Sequence, residues 1–481
     1  MTSAKLFYRI DGRGLACAGL ALALALLNGC ATFTQYQRPL NGAIEMMDQG
    51  DFTGALAKVE DRPDERTNSI LYALERGRIA QVGGDIDRSR TEFDSAWARI
   101  KENDLQPVVD LSEVGAKAGS LLTNEKSIPY IAKLPGYERV FVAEHQVWNY
   151  LASGDLQGAS VEVRRANEEQ VRLLDAHWKE VAKIEKQASE KQVDLGAMNK
   201  QLDEAYRELD DIAAKVKNSF QNAYTFYVSG VVWELMKQPN DAYIDYKKAL
   251  EIFPDNPHVQ ERVITLSKQL KFTDDHNLFS KTYGATAAPT LTPAKGEGSV
   301  VVLFEEGFVP QKSGIPIILP VPTVGMISFA FPYYDRTWVG ATPMSVSVAG
   351  GAGTTTEPIC YVRALAVKAL REQVPGMATR EVLRMLIKGT ASAVAANNSI
   401  WAEIAVDIYN AATTAADRRA WYTLPNSVSV ARMTAPAGDQ KITLSVAGHV
   451  VTVDAPVREG GVTFIKVVGT GNALYPDVVS L

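Results

Sequence analysis

The chain has 481 residues, a formal net charge of −6 at pH 7 and three cysteines. That length accommodates two or three domains, and the mild acidity argues against nucleic acid and against a polybasic grip on anionic lipid. Two of the cysteines, Cys17 and Cys30, lie in the N-terminal apolar region, so Cys360 alone remains for the body of the chain and no internal disulfide is expected.

The first predicted element is an address label, residues 1–29. Residues 15–27 carry no charge but are too few for the roughly 20 residues needed to cross a bilayer. Lys5, Arg9 and Arg13 precede them, which is the layout of a secretory signal. The ending "LNGC" resembles a bacterial lipobox, with cleavage before Cys30 and lipid on its thiol. Several acyl chains at about 0.8 kcal/mol per buried methylene would make a firm anchor. Ala31, rather than Asp, follows the cysteine. In lipoproteins of the kind it resembles, that choice favours the periplasmic face of the outer membrane.

Helical repeats come next, in a predicted domain of residues 30–273. Gly50-Asp51 and Gly84-Asp85 stand thirty-four residues apart, the period of the tetratricopeptide (TPR) repeat, a pair of antiparallel helices. A third copy, "HQVWNYLASGDLQGASVEVRRAN", carries Gly154-Asp155, and a fourth places Gly230, Ala242, Tyr246, Ala249 and Pro254 in the repeat's order and spacing. Small residues let two helices touch, the aromatic fills the next groove, and proline stops the second helix. Residues 103–135 fit the period poorly and read as a degenerate pair or an irregular connection. From about 171 to 220 the repeat gives way to a coiled-coil seam of Leu195, Met198, Leu202, Ala205, Leu209, Ile212 and Val216. This predicts an inserted helical hairpin, with "EKQASEKQVD" as its turn or as the solvated middle of one long helix.

The stretch 274–297, rich in Pro, Gly, Thr and Ala, reads as a linker. Beyond it, 298–481 is predicted as a β-rich domain: "SVVVLFEEGFVP", "GMISFAFPYYD", "MSVSVAG", "NSVSVARM", "QKITLSVAGHVVTVDAPV" and "GVTFIKVVG" all read as strands. Helical periodicity returns between, over residues 357–416. Residues 313–334 carry no charge, but four prolines make a spanning helix improbable. They read as strand–loop–strand or as an exposed apolar loop. The fold class is therefore α+β multidomain: TPR-like helices with an inserted coiled-coil hairpin, then a mixed, β-sandwich-like domain with a helical insertion.

Catalytic patterns are absent from the sequence: no HExxH, CxxC, GxSxG, P-loop or GxGxxG occurs, and "GGAGTTT" lacks the lysine a P-loop needs. No metal, cofactor or enzymatic activity is expected. Cys360 reads as a buried inert thiol, or as one activated at a helix start. Binding has more support, because the first helix of each repeat lines the inner surface of a solenoid. The repeat pattern puts Phe141, Glu144 and Trp148 of the third copy on that surface, with Tyr224, Tyr227 and Val231 of the fourth. These are the candidate partner anchors, unless they pack against the inserted hairpin instead.

Through "SLLTNEKSIPY", "YERVFVAEHQVWNYLASGDLQGASVEVRRAN", "FEEGFVP" and "RRAWYTLPNSVSVARM", the chain resembles a family of bacterial TPR-containing lipoproteins to which no enzymatic activity is assigned. Genes of that family often sit near small lipoproteins that activate penicillin-binding proteins, so the resemblance implies a place in peptidoglycan assembly. The expectation is a lipid-anchored periplasmic scaffold that binds envelope proteins through its repeats. The alternatives are a peptidoglycan- or glycan-binding β-domain on a helical spacer, and an export accessory.

Overall fold

A computed structural model describes residues 36–60, 65–105, 130–190, 195–289, 291–321, 325–349, 351, 353–396 and 416–481. The signal and lipobox expectations, Cys30 included, lie outside these residues, as does most of the poorly fitting stretch 103–135.

Among the described residues five helix pairs make the array: α1 (Gln37–Asp48) with α2 (Phe52–Glu60), α3 (Glu65–Val82) with α4 (Ile86–Leu105), α5 (Gly136–Ala152) with α6 (Leu156–Glu190), and, after an insertion, two more. The Gly-Asp signature has a local cause. Gly50, Gly84 and Gly154 adopt φ of 79°, 82° and 72°, the left-handed conformation that ends a helix without steric cost. The following Asp N–H reaches back to a carbonyl five residues earlier, as in Asp51 N to Met46 O at 2.9 Å. The Asp carboxylate then caps the next helix, accepting from Gly54 N (2.8 Å), Arg88 N (3.1 Å) and Gly158 N (2.8 Å) in the three copies.

After the insertion come α7 (Leu195–Tyr206), α8 (Asp210–Ala213), α9 (Ala223–Leu235), α10 (Pro239–Ile252), α11 (Pro257–Gln269) and α12 (Thr273–Tyr283). Pairs α9–α10 and α11–α12 use the same turn, with Lys237 and Lys271 at positive φ where glycine stood before. In the fourth pair the helices meet so closely that a Cβ on Gly230 would lie 2.6 Å from Cζ of Tyr246. Helix α12 occupies the first ten residues of the stretch expected to be linker; its few apolar residues have no periodic neighbours to mark them.

The inserted segment departs from a free-standing hairpin. Met198, Leu202, Tyr206, Leu209 and Ile212 are buried, yet they pack on β2 (Ser313–Val321) and on the long helix α13 (Val362–Ala396). Helical structure also stops at Ala213, short of Val216.

Strand β2 pairs antiparallel with β3 (Gly325–Tyr333). The remaining strands are β1 (Glu297–Glu306), β4 (Ser345–Val348), β5 (Gly353–Thr355), β6 (Glu357–Cys360), β7 (Ser427–Pro436), β8 (Gly438–Val446), β9 (His449–Val457), β10 (Val462–Gly469) and β11 (Leu474–Ser480). They build a five-stranded sheet, β11-β10-β1-β7-β6, and a four-stranded sheet, β5-β4-β8-β9. In the larger sheet only β1 and β10 pair in parallel. Residues 357–360, expected to begin a helix, are strand; α13 starts at Val362.

Strand alternation sends the side chains of the larger sheet into two cores. Val300, Val302, Phe304, Ala431, Met433, Ile465 and Val467 face the smaller sheet and pack on Ile442, Leu444 and Val446. Val301, Leu303, Val428, Val430, Val462 and Phe464 belong to the core shared with the helices. The array thus curves around one face of the sheet rather than standing beside it on a spacer.

Candidate functional site: a groove filled by the chain itself

The concave face of the array is lined by the first helix of each pair, as the repeat pattern requires. On α3, Glu75, Arg78 and Gln81 recur at i, i+3 and i+6 and are buried, as are Glu138, Phe141, Glu144 and His145 on α5. Buried charge demands partners, and a strap of residues 416–426, leading from the region after α13 into β7, supplies many of them.

Glu75 accepts from Tyr422 N (2.8 Å), Thr423 N (3.1 Å), Thr423 Oγ1 (2.6 Å) and Tyr36 Oη (2.9 Å). Glu138 accepts from Trp421 N at 3.1 Å, and Tyr36 Oη also reaches the carbonyl oxygen of Ala420 at 2.9 Å. Burial pushes Glu75 up to about 7 even though those donors pull it down. The fully buried Trp421 ring lies 5.7 Å from Phe93 and 5.5 Å, edge-on, from His145. Main-chain amides held by acidic side chains and one aromatic in a pocket are the means by which a groove grips a peptide. Here the peptide is the chain's own "RRAWYTLPN".

Beside the strap lies a buried ionic cluster. Arg78 pairs with Glu305 of β1, and Lys466 of β10 sits 3.3 Å from the same carboxylate while donating to Gln81 Oε1 at 2.9 Å. Burial acts to raise the Glu305 pKa, but Arg78 and Lys466 outweigh it and hold the carboxyl below its usual range. Burial draws Lys466 down to about 8 against the pull of Glu305, and pushes Glu144 up to about 8 against that of Lys466. A second cluster joins Glu234 to Arg432 (2.9 Å) and Arg262 (3.2 Å). There the two guanidiniums overcome burial and carry Glu234 down to about 2.

The six expected anchors are all buried, none more than 3% exposed. Trp148 donates from Nε1 to Asp477 Oδ2 at 3.0 Å and meets Phe464 edge-on at 6.4 Å. Tyr224 donates to Glu305 Oε1 at 3.3 Å, and Tyr227 packs on Tyr246 with ring centroids 5.5 Å apart. Phe141 lies 5.8 Å from the His145 ring, and Val231 is fully buried. Trp148 and Tyr224 thus face the chain's own sheet and Tyr227 packs on the paired helix α10, so the surface expected to be open is covered. The inserted hairpin, the other expected cover, is not what covers them. Cys360 is buried, and burial pushes its thiol well up, away from reactivity.

An open groove lies instead at the far end of the array. It has a volume of about 600 Å³ between α10 and α12, lined by Tyr243, Lys247, Phe272, Phe279 and Tyr283. Lys247 pairs with Asp275 at 2.8 Å and lies over the rings of Tyr243 and Phe279. On its lining Ile244 and Phe272 are 50% and 41% exposed, and elsewhere on α12 Leu278 is 57% exposed. Among the described residues no helix is long and apolar enough to cross a membrane, and no group of three or more His, Cys, Asp or Glu could hold a metal ion.

No protein-family model and no curated protein matches the chain. Solved structures similar to it include MamA of AMB-1, at 12% identity over 52% of this chain and 89% of that one, with a TM-score of 0.27. A TPR2AB-domain:pHSP90 complex of yeast Sti1 aligns at 13% identity over 52% and 92%, TM-score 0.19. A tetratricopeptide repeat protein from Parabacteroides merdae aligns at 10% over 53% and 94%, TM-score 0.14. At such scores the overall shapes do not superimpose, and the repeat architecture rests on the five turns and helix pairs described above.

Proposed function

We propose that the chain is a lipid-anchored scaffold of the bacterial envelope, tethered through Cys30 at the periplasmic face of the outer membrane, where it binds proteins of wall assembly. The observation that supports protein binding is the aromatic groove on α10 and α12. Ile244 and Phe272, large apolar side chains on the lining of that groove, are left exposed. That surface suits a partner's amphipathic helix, laid on α10 and α12 as α12 lies on α11. Tethering confines both molecules near one surface, so a modest affinity suffices.

Photo-cross-linking in intact cells from position 278, and separately from position 148, tests this reading. One envelope protein captured from position 278, which binds in purified form and is lost on Ile244→Asp, supports it. Capture from position 148 alone would mean that the β10–β11 edge covering Trp148 yields and that the concave face is the true site. Capture from neither overturns the scaffold reading. The anchor has a separate readout: Cys30→Ser removes palmitate labelling and releases the chain from the outer-membrane fraction, and labelling that survives overturns the lipobox assignment.

A further inference from the structure

A second cavity, of about 280 Å³, opens at one end of the β-sandwich. Gly307 after β1, Ala447 between β8 and β9, and Ala473 between β10 and β11 meet there beside the start of α13. Phe304, Phe308 and Leu474 supply apolar walls; Arg363, Asn426, Glu306 and His449 supply polar ones.

Arg363 is only 6% exposed, yet no carboxylate lies within hydrogen-bond reach of its guanidinium. Nη2 donates to the main-chain oxygen of Asp335 at 2.9 Å, the Asp335 carboxylate stands off at 3.8 Å, and Nε has no partner. Asp335 is kept from closing that gap by Thr337 N, which donates to its Oδ1 at 2.5 Å. Other arginines of this chain show what the same edge ordinarily does. Arg76, Arg172 and Arg419 each place Nε and Nη2 side by side on one carboxylate. A buried guanidinium without a hydrogen-bonded counter-charge carries a desolvation cost; the Asp335 carboxylate at 3.8 Å offsets it only in part, and burial lowers the Arg363 pKa against the pull of that charge.

Asn426 lies in the same wall, also 6% exposed. Its main chain is pinned on both sides: its N–H donates to Glu306 O at 2.9 Å and its carbonyl accepts from Arg363 N at 3.1 Å. Its Nδ2 reaches Val339 O at 3.4 Å, while Oδ1 has no partner. Glu306, which would repel an anion, is turned toward Thr342 N and Ser427 Oγ, 2.8 and 3.3 Å from its Oε2. His449 is half exposed on the cavity wall.

We propose that this cavity binds an N-acyl amino acid unit. Arg363 takes its carboxylate on the Nε–Nη2 edge, Asn426 Oδ1 accepts the adjacent N–H, and Phe304, Phe308 and Leu474 hold an apolar side chain. That chemistry is shared by a free N-acyl amino acid and by the C-terminal residue of a peptide. A fork on a carboxylate fixes direction as well as charge, and an unpaired buried donor and acceptor discriminate strongly against ligands that cannot pair them.

Calorimetric titration of the full chain in detergent, with N-acetyl-leucine, N-acetyl-leucinamide and acetyl-Gly-Gly-Leu, tests the assignment. N-acetyl-leucine is expected to bind, and the amide to bind about tenfold more weakly or worse, since it lacks the charge that Arg363 requires. Arg363→Gln is expected to lose about tenfold for the same reason. Ala473→Trp blocks the mouth without removing a buried contact and is expected to abolish binding with an unchanged melting profile. Tighter binding of the tripeptide assigns the site to chain termini; tighter binding of N-acetyl-leucine assigns it to free acids. Absence of heat with both acids, equal binding of the amide, or full binding by Ala473→Trp would overturn the proposal.

Discussion

The two faces of the five-stranded sheet are built from the same strands by different rules. Toward the smaller sheet, β1, β7 and β10 present mostly apolar side chains, with the hydroxyls of Ser429 and Thr463 among them. Toward the helices they present apolar residues broken by Glu305, Arg432 and Lys466, each buried and each paired across to a helix. Dispersion and burial alone can hold the first face, and they tolerate adjustment of packing. Ion pairs on the second face fix which turn of which helix meets which strand, because a slip leaves a charge without a partner. One face supplies cohesion; the other supplies register between two halves that lie far apart in sequence.

Several substitutions would break or sharpen that contrast. The largest effect is expected from Glu305→Gln, which leaves Arg78 and Lys466 buried against a neutral amide. A loss of about 3–5 kcal/mol in denaturant unfolding is expected for a broken buried pair, and a loss below about 1 kcal/mol would show that the cluster is not what holds the faces together. Next is Leu444→Ala on the apolar face, expected to cost about 3 kcal/mol with the helix–sheet contacts intact; amide exchange should quicken in β8 and β9 before it does in the strap.

Smaller per pH unit is the effect of Glu144, whose Oε2 has no partner and which burial pushes up to about 8. An acid whose folded pKa lies above its unfolded value holds a proton that the unfolded chain has released. Its contribution therefore falls as pH rises from about 4.5 toward 8, by at most about 1.4 kcal/mol per pH unit. Glu144→Gln should remove that slope, and an unchanged slope would assign it elsewhere. Least is expected of Lys441→Ala, which breaks an exposed pair with Asp454 on the outer sheet. The unfolding midpoint should be indistinguishable from that of the unsubstituted chain.

The helical half is largely legible in sequence because its turns are chemically constrained: only glycine takes the left-handed position cheaply, and Asp caps the next helix. Where lysine takes that position, at Lys237 and Lys271, the signal weakens, and much of the fifth pair reads as linker. Most strands are legible from alternation, but β6 and β11 are too short or too mixed to stand out. Pairing of β1 with β10, about 160 residues apart, has no local signature at all. The anchors show a deeper limit. Phe141, Trp148 and Tyr224 do lie on the inner surface, but an aromatic inner surface has the same spacing whether a partner or the chain itself lies against it. The i, i+3, i+6 run of Glu75, Arg78 and Gln81 is the available clue, since charge on an inward face implies something polar opposite. Trp421 and Tyr422, in a proline-marked stretch between helix and strand, are what lies opposite.

The strap also sets an order of events during synthesis. All five helix pairs have been made by Tyr283, while the segments that fill their concave face come at 416–426 and 462–480. At about 5–20 residues per second that interval lasts about 10–40 s, during which an aromatic, charge-lined trough faces the surroundings without its contents. A chaperone that shields the trough must release it to a segment of the same chain, so folding ends in a hand-over, and the "RRAWYTLPN" sequence competes with whatever was holding its place.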